Sequence, residues 1–286
     1  MTEKILSAKP LIKDKYRELK LEFEKLNKPL VLKVIRLGQD PASAFYVNNI
    51  VNQGKRLGAD VELVTLQKET TQQELVELIE QFNQDDFVDG IMIQKPLPKH
   101  IDSSLTNYLI KPTKDVDGFH TVNLGKLLLG QDGLFPCTAT ACVTMMKYYN
   151  IDPCCKHIVI IGRSNNVGKP LANMLLLQQG GGDATVTVCH SKTHNLQEIT
   201  KCADILIAAI GQPKFVTKEH ISDNCIVLDV GINQVIDENG KVKYVGDVDY
   251  EDVFDKVAAI SPVPNGIGSV TTYELFKNLL KSRNIL

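Results

Sequence analysis

Ile158-Val159-Ile160-Ile161-Gly162-Arg163-Ser164-Asn165-Asn166-Val167-Gly168-Lys169-Pro170 runs from four continuous apolar residues into a glycine, through a polar turn, to a second glycine and an early proline. A short apolar run bounded by glycine reads as a buried strand. Proline is favoured near the start of a helix because its missing N–H has no intrahelical partner there. The stretch is therefore predicted to be strand, turn, helix, with Gly162 turning the chain sharply and Gly168 letting helix and strand approach closely. The exposed amides of such a turn and the helix dipole favour a pyrophosphate. Ser164 replaces the middle glycine of the G-x-G-x-x-G dinucleotide fingerprint, so on these residues alone a purely structural turn stays open beside a dinucleotide site.

The next strand decides what an adenosine ribose would meet. An acidic residue at its end accepts the 2′-hydroxyl of NAD, whereas cations accommodate the 2′-phosphate of NADP. Here Thr185-Val186-Thr187-Val188 ends in Cys189-His190-Ser191-Lys192, without a carboxylate. With Arg163 at the turn, NADP is preferred over NAD, although a solvated Lys192 has its own ordinary explanation.

Outward from this unit the same alternation continues. Strands at Ile205 to Ala209 and Ile226 to Asp229 follow, with helical stretches after each of the first three strands, which makes a doubly wound sheet. Upstream, Val31 to Ile35, a helix over 42–57, Val61 to Leu66, a helix over Gln72 to Phe82 and Val88 to Ile93 form a second alternation, closed by Gln94-Lys95-Pro96-Leu97-Pro98. Strand, helix, strand implies parallel pairing. An irregular centre, Lys111 to Phe119, separates the halves, a helix near 140–149 opens the second, and a last helix over 270–281 packs back on the first. The fold class is a two-domain α/β protein: an N-terminal α/β domain (1–139 with 270–286) and a Rossmann-type doubly wound parallel sheet (140–269).

At 286 residues, 43% hydrophobic and 23% charged, the chain is an ordinary globular one. A net charge of -2 with no basic stripe argues against nucleic acid as a partner. No run is long enough to span a membrane, and no signal peptide is visible. Seven cysteines without a CxxC pair suit a reducing cytoplasm. His120 and His190 have no companions at metal spacing, so no metal site is expected. Ser164 and Ser191 lack a nucleophile elbow.

Taken in order, Asp40-Pro41-Ala42-Ser43 with Tyr46-Val47, Gln94 with Pro96-Leu97-Pro98, Lys114-Asp115-Val116-Asp117-Gly118-Phe119-His120, Pro136-Cys137-Thr138, Gly162-Arg163-Ser164-Asn165, Asp229-Val230-Gly231-Ile232-Asn233 and Pro262-Val263-Pro264 resemble the motifs of the methylenetetrahydrofolate dehydrogenase/methenyltetrahydrofolate cyclohydrolase (FolD) family. The resemblance covers essentially the whole chain. It implies a one-carbon enzyme, serving purine biosynthesis among other ends, that takes tetrahydrofolate derivatives in a cleft between its domains. Tyr46, Gln94 and Asp117 would be the catalytic residues at the pterin, with Lys95 beside them and Pro264, Gly268 and Thr271 in a segment closing over the substrate. NADP would lie on Gly162, Arg163 and Ser164, with Ser191 near the 2′-phosphate and Thr138 and Ile232 near the nicotinamide. A homodimer is implied too.

One departure bears on activity. The family motif is Tyr-x-x-x-Lys, and counting from Tyr46 puts Ile50 where the lysine belongs. Four residues apart on a helix, positions 46 and 50 share a face, so Ile50 is expected to look into the same cleft. Oxidising a methylene bridge needs alignment of donor and acceptor but little proton transfer. Hydrolysing a methenyl bridge needs water attack and proton movement, where acid/base help is worth roughly two to four orders of magnitude. The expectation is a dehydrogenase with weak or absent cyclohydrolase activity. Its alternatives are a bifunctional enzyme compensated by Lys95, which strand alternation would point away from Gln94, and a non-catalytic folate or dinucleotide binder. Asn265, Ser269, Ala139 and Ala141 also depart from the family pattern, and asparagine at 265 tolerates positive φ better than most residues.

Overall fold

The computed structural model describes residues 3–38, 41–178, 181–236 and 240–285, without the side chains of 41–45, 104, 107, 284 and 285. Asp40 and the side chains of Pro41, Ala42 and Ser43 thus lie outside the described residues. The chain forms two compact units: Asp14–Cys137 with the residues from Thr272 onward, and the residues up to Lys13 with Thr138–Thr271.

The first unit carries α1 (Ala8–Glu24), which starts in the other unit, then β1 (Val31–Leu37), α2 (Pro41–Leu57), β2 (Asp60–Leu66), α3 (Gln72–Gln84), β3 (Gly90–Ile93), α4 (Ser103–Leu109) and α5 (Thr121–Leu128). Its three strands pair in parallel in the order β2-β1-β3, as strand–helix–strand connections require. Helix α3 is fixed at its start by a capping box: Thr71 Oγ1 accepts from Glu74 N while Thr71 N donates to the Glu74 carboxylate. Its apolar face, Leu75, Ile79 and Phe82, packs with Ile35, Ile91 and Ile93 of the sheet in one core. Neither α4 nor α5 was foreseen in the stretch around the irregular centre. Helices of two turns show too little periodicity to be read from sequence.

The second unit contains α6 (Cys137–Tyr148), β4 (His157–Ile161), α7 (Gly168–Leu176), β5 (Thr185–Cys189), α8 (Leu196–Thr200), β6 (Ile205–Ala208), β7 (Ile226–Asp229), β8 (Asn233–Ile236), β9 (Val242–Val245), α9 (Tyr250–Val253), β10 (Ala259–Ile260) and the start of α10 (Ile267–Ile285). The five-stranded sheet is wholly parallel, in the order β10-β7-β6-β4-β5. The chain winds one way from β4 to β5 and the other way from β6 onward. The switch lies between β4 and β6, and ligands of such sheets bind beyond the strand ends at that point. Strands β8 and β9 form an antiparallel hairpin that the sequence reading did not anticipate.

The first residues, expected in the folate domain, belong instead to this second unit. Ile5 bridges Ile260 in parallel, with Leu6 N donating to Ile260 O and Ile260 N to Lys4 O, each at 2.9 Å. The physical reason is the open edge of β10, whose peptide groups would otherwise lack partners.

Candidate active site

In the first unit the site grows from the end of β3. Ile91 N donates to Lys114 O at 2.8 Å and Ile91 bridges Asp115 in parallel, so the segment 114–116 runs beside β3 as a stub of a fourth strand. Both C-terminal ends then deliver their next residues to one place. Lys114 is an anchor: its buried ammonium donates to the carbonyls of Phe82, Asn83 and Asp85 at 3.0, 3.0 and 2.7 Å, answering carbonyls that the end of α3 leaves without partners. Asp115 builds the turn. Its carboxylate accepts from Gly118 N, His120 N and Asn123 Nδ2. Asp115, rather than Asp117, therefore forms the turn. Gly118 has φ +77°, and a Cβ there would lie 2.2 Å from the Phe135 carbonyl carbon, so only glycine fits. His120 caps α5 through Nδ1, which accepts from Val122 N.

With the turn held by Asp115, Asp117 is left to the site. Burial, and then the neighbouring Asp115 charge, push its carboxyl up to about 7, against the pull of Lys95. Tyr46 stands beside it: burial and the Asp117 charge drive its hydroxyl well above the ordinary phenol range, while a hydrogen bond with Thr272 works the other way. Asn49 Nδ2 donates to the same Thr272 Oγ1 at 3.2 Å, tying α2 to α10. Gln94 donates Nε2 to its neighbour's carbonyl, Lys95 O, at 2.6 Å, and its Oε1 is buried without a hydrogen-bond partner among the described residues. Lys95 places Nζ 4.7 Å from the Phe119 ring centre. Burial lowers its pKa and the Asp117 and Asp115 carboxylates raise it. The structure thus gathers Tyr46, Lys95 and Asp117, with Gln94 next to Lys95. Ile50, expected on an open face, has 0% exposure and belongs to the core of α2. The 3.6-residue repeat places it one turn from Tyr46 but cannot say that apolar neighbours close over it.

Sequence reasoning missed the residues that hold this cluster. Asn278 of α10 donates Nδ2 to Val116 O at 2.8 Å and Phe135 O at 2.9 Å, and the buried Cys137 thiol also donates to Val116 O. Thr272 and Asn278 lie six residues apart on the last helix, and polar residues on its buried side were the available signal.

In the second unit the turn after β4 has the shape its glycines suggested. Gly162 adopts φ +129°, and a Cβ there would meet Ala209 O at 2.2 Å; one at Gly168 would meet Gly162 O at 2.0 Å. Ser164 Oγ accepts from Val167 N at 3.1 Å, whereas Val167, the cap residue of α7, supplies no side-chain partner to the helix amides. Arg163, Ser191 and Lys192 are exposed. Beyond the strand ends a buried carboxylate pair orders the loops. Asp229 accepts from the amides of Gly231, Asp247 and Val248. Asp247 in turn accepts from the amides of Ile210, Gly211 and Gln212 and from Asn233 Nδ2. Burial raises the Asp229 pKa and the amide donors pull it back. This network presents Ile232, 57% exposed, beside the 210–212 loop. Thr138 is half-buried in the first turn of α6. Pro264 is exposed behind a cis Val263–Pro264 bond, Thr271 Oγ1 donates to Ile267 O, and Gly268 faces Ile232, whose Cδ1 a Cβ would approach to 2.4 Å. Asn265 has φ +72°, the left-handed conformation in which asparagine replaces glycine at least cost.

A parallel sheet whose switch point carries a glycine turn leading into a helix defines an NAD(P)-binding α/β protein. Residues 136–285 match the tetrahydrofolate dehydrogenase/cyclohydrolase NAD(P)-binding domain and residues 6–117 the catalytic domain of the same name. The chain belongs to the tetrahydrofolate dehydrogenase/cyclohydrolase family. It is 45% identical over 288 residues to the bifunctional protein FolD of Acetivibrio thermocellus, covering 100% of this chain and 98% of that protein. Among solved structures it is similar to the bifunctional enzyme FolD of Campylobacter jejuni (TM-score 0.91, 41% identity, 99% of each chain). It is also similar to the Trypanosoma brucei methylenetetrahydrofolate dehydrogenase-cyclohydrolase complexed with NADP cofactor and inhibitor (TM-score 0.91, 31% identity, 100% and 99% of the chains).

Proposed function

We propose that this protein oxidises 5,10-methylenetetrahydrofolate to 5,10-methenyltetrahydrofolate with NADP as acceptor, and that it hydrolyses the methenyl product only weakly. The observation that carries the reading is the meeting of Tyr46, Gln94 and Asp117 in one unit, with a buried amide oxygen of Gln94 left for a ligand donor. A pterin ring offers complementary N–H donors to a carboxylate and an amide oxygen. NADP, when bound, supplies a nicotinamide that accepts hydride. The chain's own part is to bind and align. Gly162 and Gly168 leave room that side chains would fill, so the turn after β4 would hold the pyrophosphate, and the exposed Arg163, Ser191 and Lys192, with no carboxylate at their strand end, would hold the 2′-phosphate. Thr138 and Ile232 would line the nicotinamide end, and Pro264, Gly268 and Thr271 would belong to the segment that closes over the folate.

Weak hydrolysis rests on Ile50, an apolar side chain that is fully enclosed at the position where the family resemblance would place a lysine. An isoleucine neither donates nor accepts a proton, which removes help worth roughly two to four orders of magnitude. Assays of both reactions on one preparation test the proposal. Methenyl formation should proceed with NADP in clear preference to NAD, and hydrolysis should rise in Ile50→Lys. Turnover with neither cofactor overturns the dehydrogenase reading, and fast hydrolysis by the unaltered chain overturns the deficit. A homodimer in the cytoplasm, feeding one-carbon units to purine biosynthesis, completes the reading. It is supported by the exposed Ile236 and Val242 of the β8–β9 hairpin and by cysteines that are all free thiols.

A further inference from the structure

We propose that Lys95 is a catalytic residue of this chain, its amine carrying the proton that opening of a methenyl bridge requires. The proposal rests on the folate reading above and concerns the hydrolysis that persists without a lysine at position 50.

The backbone puts Lys95 where strand alternation alone would not. Strand β3 ends at Ile93, and Gln94 then folds its amide onto the carbonyl of Lys95. Consecutive residues can therefore serve one site. The segment 114–116 runs beside β3 and brings Asp117 and Phe119 to the same end. The Lys95 ammonium is held over the Phe119 ring, 4.7 Å from its centre. Asp117 and Asp115 are the carboxylates that act on it, and Tyr46 and the Cys137 thiol are the further titratable groups around Asp117. Partial burial favours the neutral amine and the two carboxylates favour the ammonium, which suits a group that must both take and give a proton.

Water oxygen bonds to the bridging carbon of the methenyl cation, and one water proton passes to the Lys95 amine. The ammonium so formed, opposite Asp117, returns that proton to the departing folate nitrogen as its bond to the bridging carbon breaks. The remaining hydroxyl proton is lost to solvent as the formyl carbonyl forms. One proton is released overall, and no oxidant or metal takes part.

The test measures oxidation of methylenetetrahydrofolate and hydrolysis of methenyltetrahydrofolate on the full-length protein and on Lys95→Met and Lys95→Arg, with a thermal melt of each. The original chain should hydrolyse above the buffer rate. Both variants should lower the ratio of hydrolysis to oxidation at least tenfold, because arginine keeps the charge over Phe119 but does not release its proton. The pH profile of hydrolysis should lose its rising limb in both. Hydrolysis at the buffer rate by the original chain, or an undiminished ratio in Lys95→Arg, overturns the role of Lys95 while leaving oxidation intact. Absence of oxidation in the original chain refutes the folate reading instead. Should Lys95→Met fail to fold, Lys95→Arg decides alone.

Discussion

Replacing Asn278 with alanine tests whether α10 positions the Asp117 carboxyl. The amide of Asn278 is buried and satisfies the carbonyls of Val116 and Phe135, at 2.8 and 2.9 Å. Alanine removes the shared donor, leaving Phe135 O without it and Val116 O with the weaker Cys137 thiol alone. An unsatisfied buried group costs about 1–3 kcal/mol, so one lost partner and one weakened one amount to roughly 3 kcal/mol. For a chain of this size a loss of about 1 kcal/mol lowers Tm by about 2–4 °C, so a fall on the order of 10 °C is expected. Val116 precedes Asp117, and its thiol bond from Cys137 remains. The loop should therefore loosen without unfolding, and KM for the folate substrate should rise roughly tenfold, about 1.4 kcal/mol. KM for NADP should hold within about twofold, because the glycine turn lies in the other unit. Circular-dichroism melts and initial rates with each substrate varied provide the measurement. A Tm within about 2 °C of the original, or equal rises in both KM values, would refute the positioning role.

Two further outcomes follow from the carboxylates. Asp117 keeps its proton up to about pH 7 in the folded chain, whereas an unfolded aspartate loses it near pH 4. Between those values the folded state binds more protons, so this group's contribution to stability falls as pH rises and is fully lost above about pH 7. Tm of the original chain relative to Asp117→Asn should decline from pH 5 to pH 7 and then level off, and parallel curves would sink the assignment. A Cβ at Gly231 would lie 2.2 Å from the Asp247 carboxyl carbon, so Gly231→Ala must displace the group that holds the 210–212 loop. It should cost at least about 2 kcal/mol in a denaturant melt and weaken NADP binding; an unchanged melt would show that the carboxylate can shift freely.

Most of the parallel strands were legible as short apolar or β-branched runs between breakers, the two-residue β10 excepted, and the glycine turn because its residues carry its geometry. Residues 158–161 and 226–229 needed no tertiary information. What stayed hidden depends on partners far away in sequence. Asp115 and Asp117 read alike in the sequence, and only the amides of Gly118 and His120 separate the turn builder from the residue left for a ligand. Lys114 looks like a charged loop residue until the end of α3 supplies three carbonyls to its ammonium. The Asp247 network was missed altogether. Its four donors come from two other segments, and no local pattern in Gly246-Asp247-Val248-Asp249 announces them.

Ile50 is a core residue at a turn of helix where the family resemblance would place a catalytic lysine. Enclosing an isoleucine there stabilises the unit by about 1.5–3 kcal/mol, whereas an ammonium in the same place would need a partner to offset several kcal/mol of lost hydration. On the folate reading the exchange bears unequally on two reactions of one substrate. Hydride loss leaves a cation stabilised by the folate nitrogens themselves, so the oxidation tolerates the lack of an ammonium at this turn. Water attack on that cation needs a proton carrier, which an enclosed isoleucine does not supply. Lys95 comes to Asp117 from the end of β3 rather than from α2, so its amine can act without disturbing the packing around Ile50. The fate of the methenyl product, release or hydrolysis, then turns on a lysine carried by a strand end instead of a helix face.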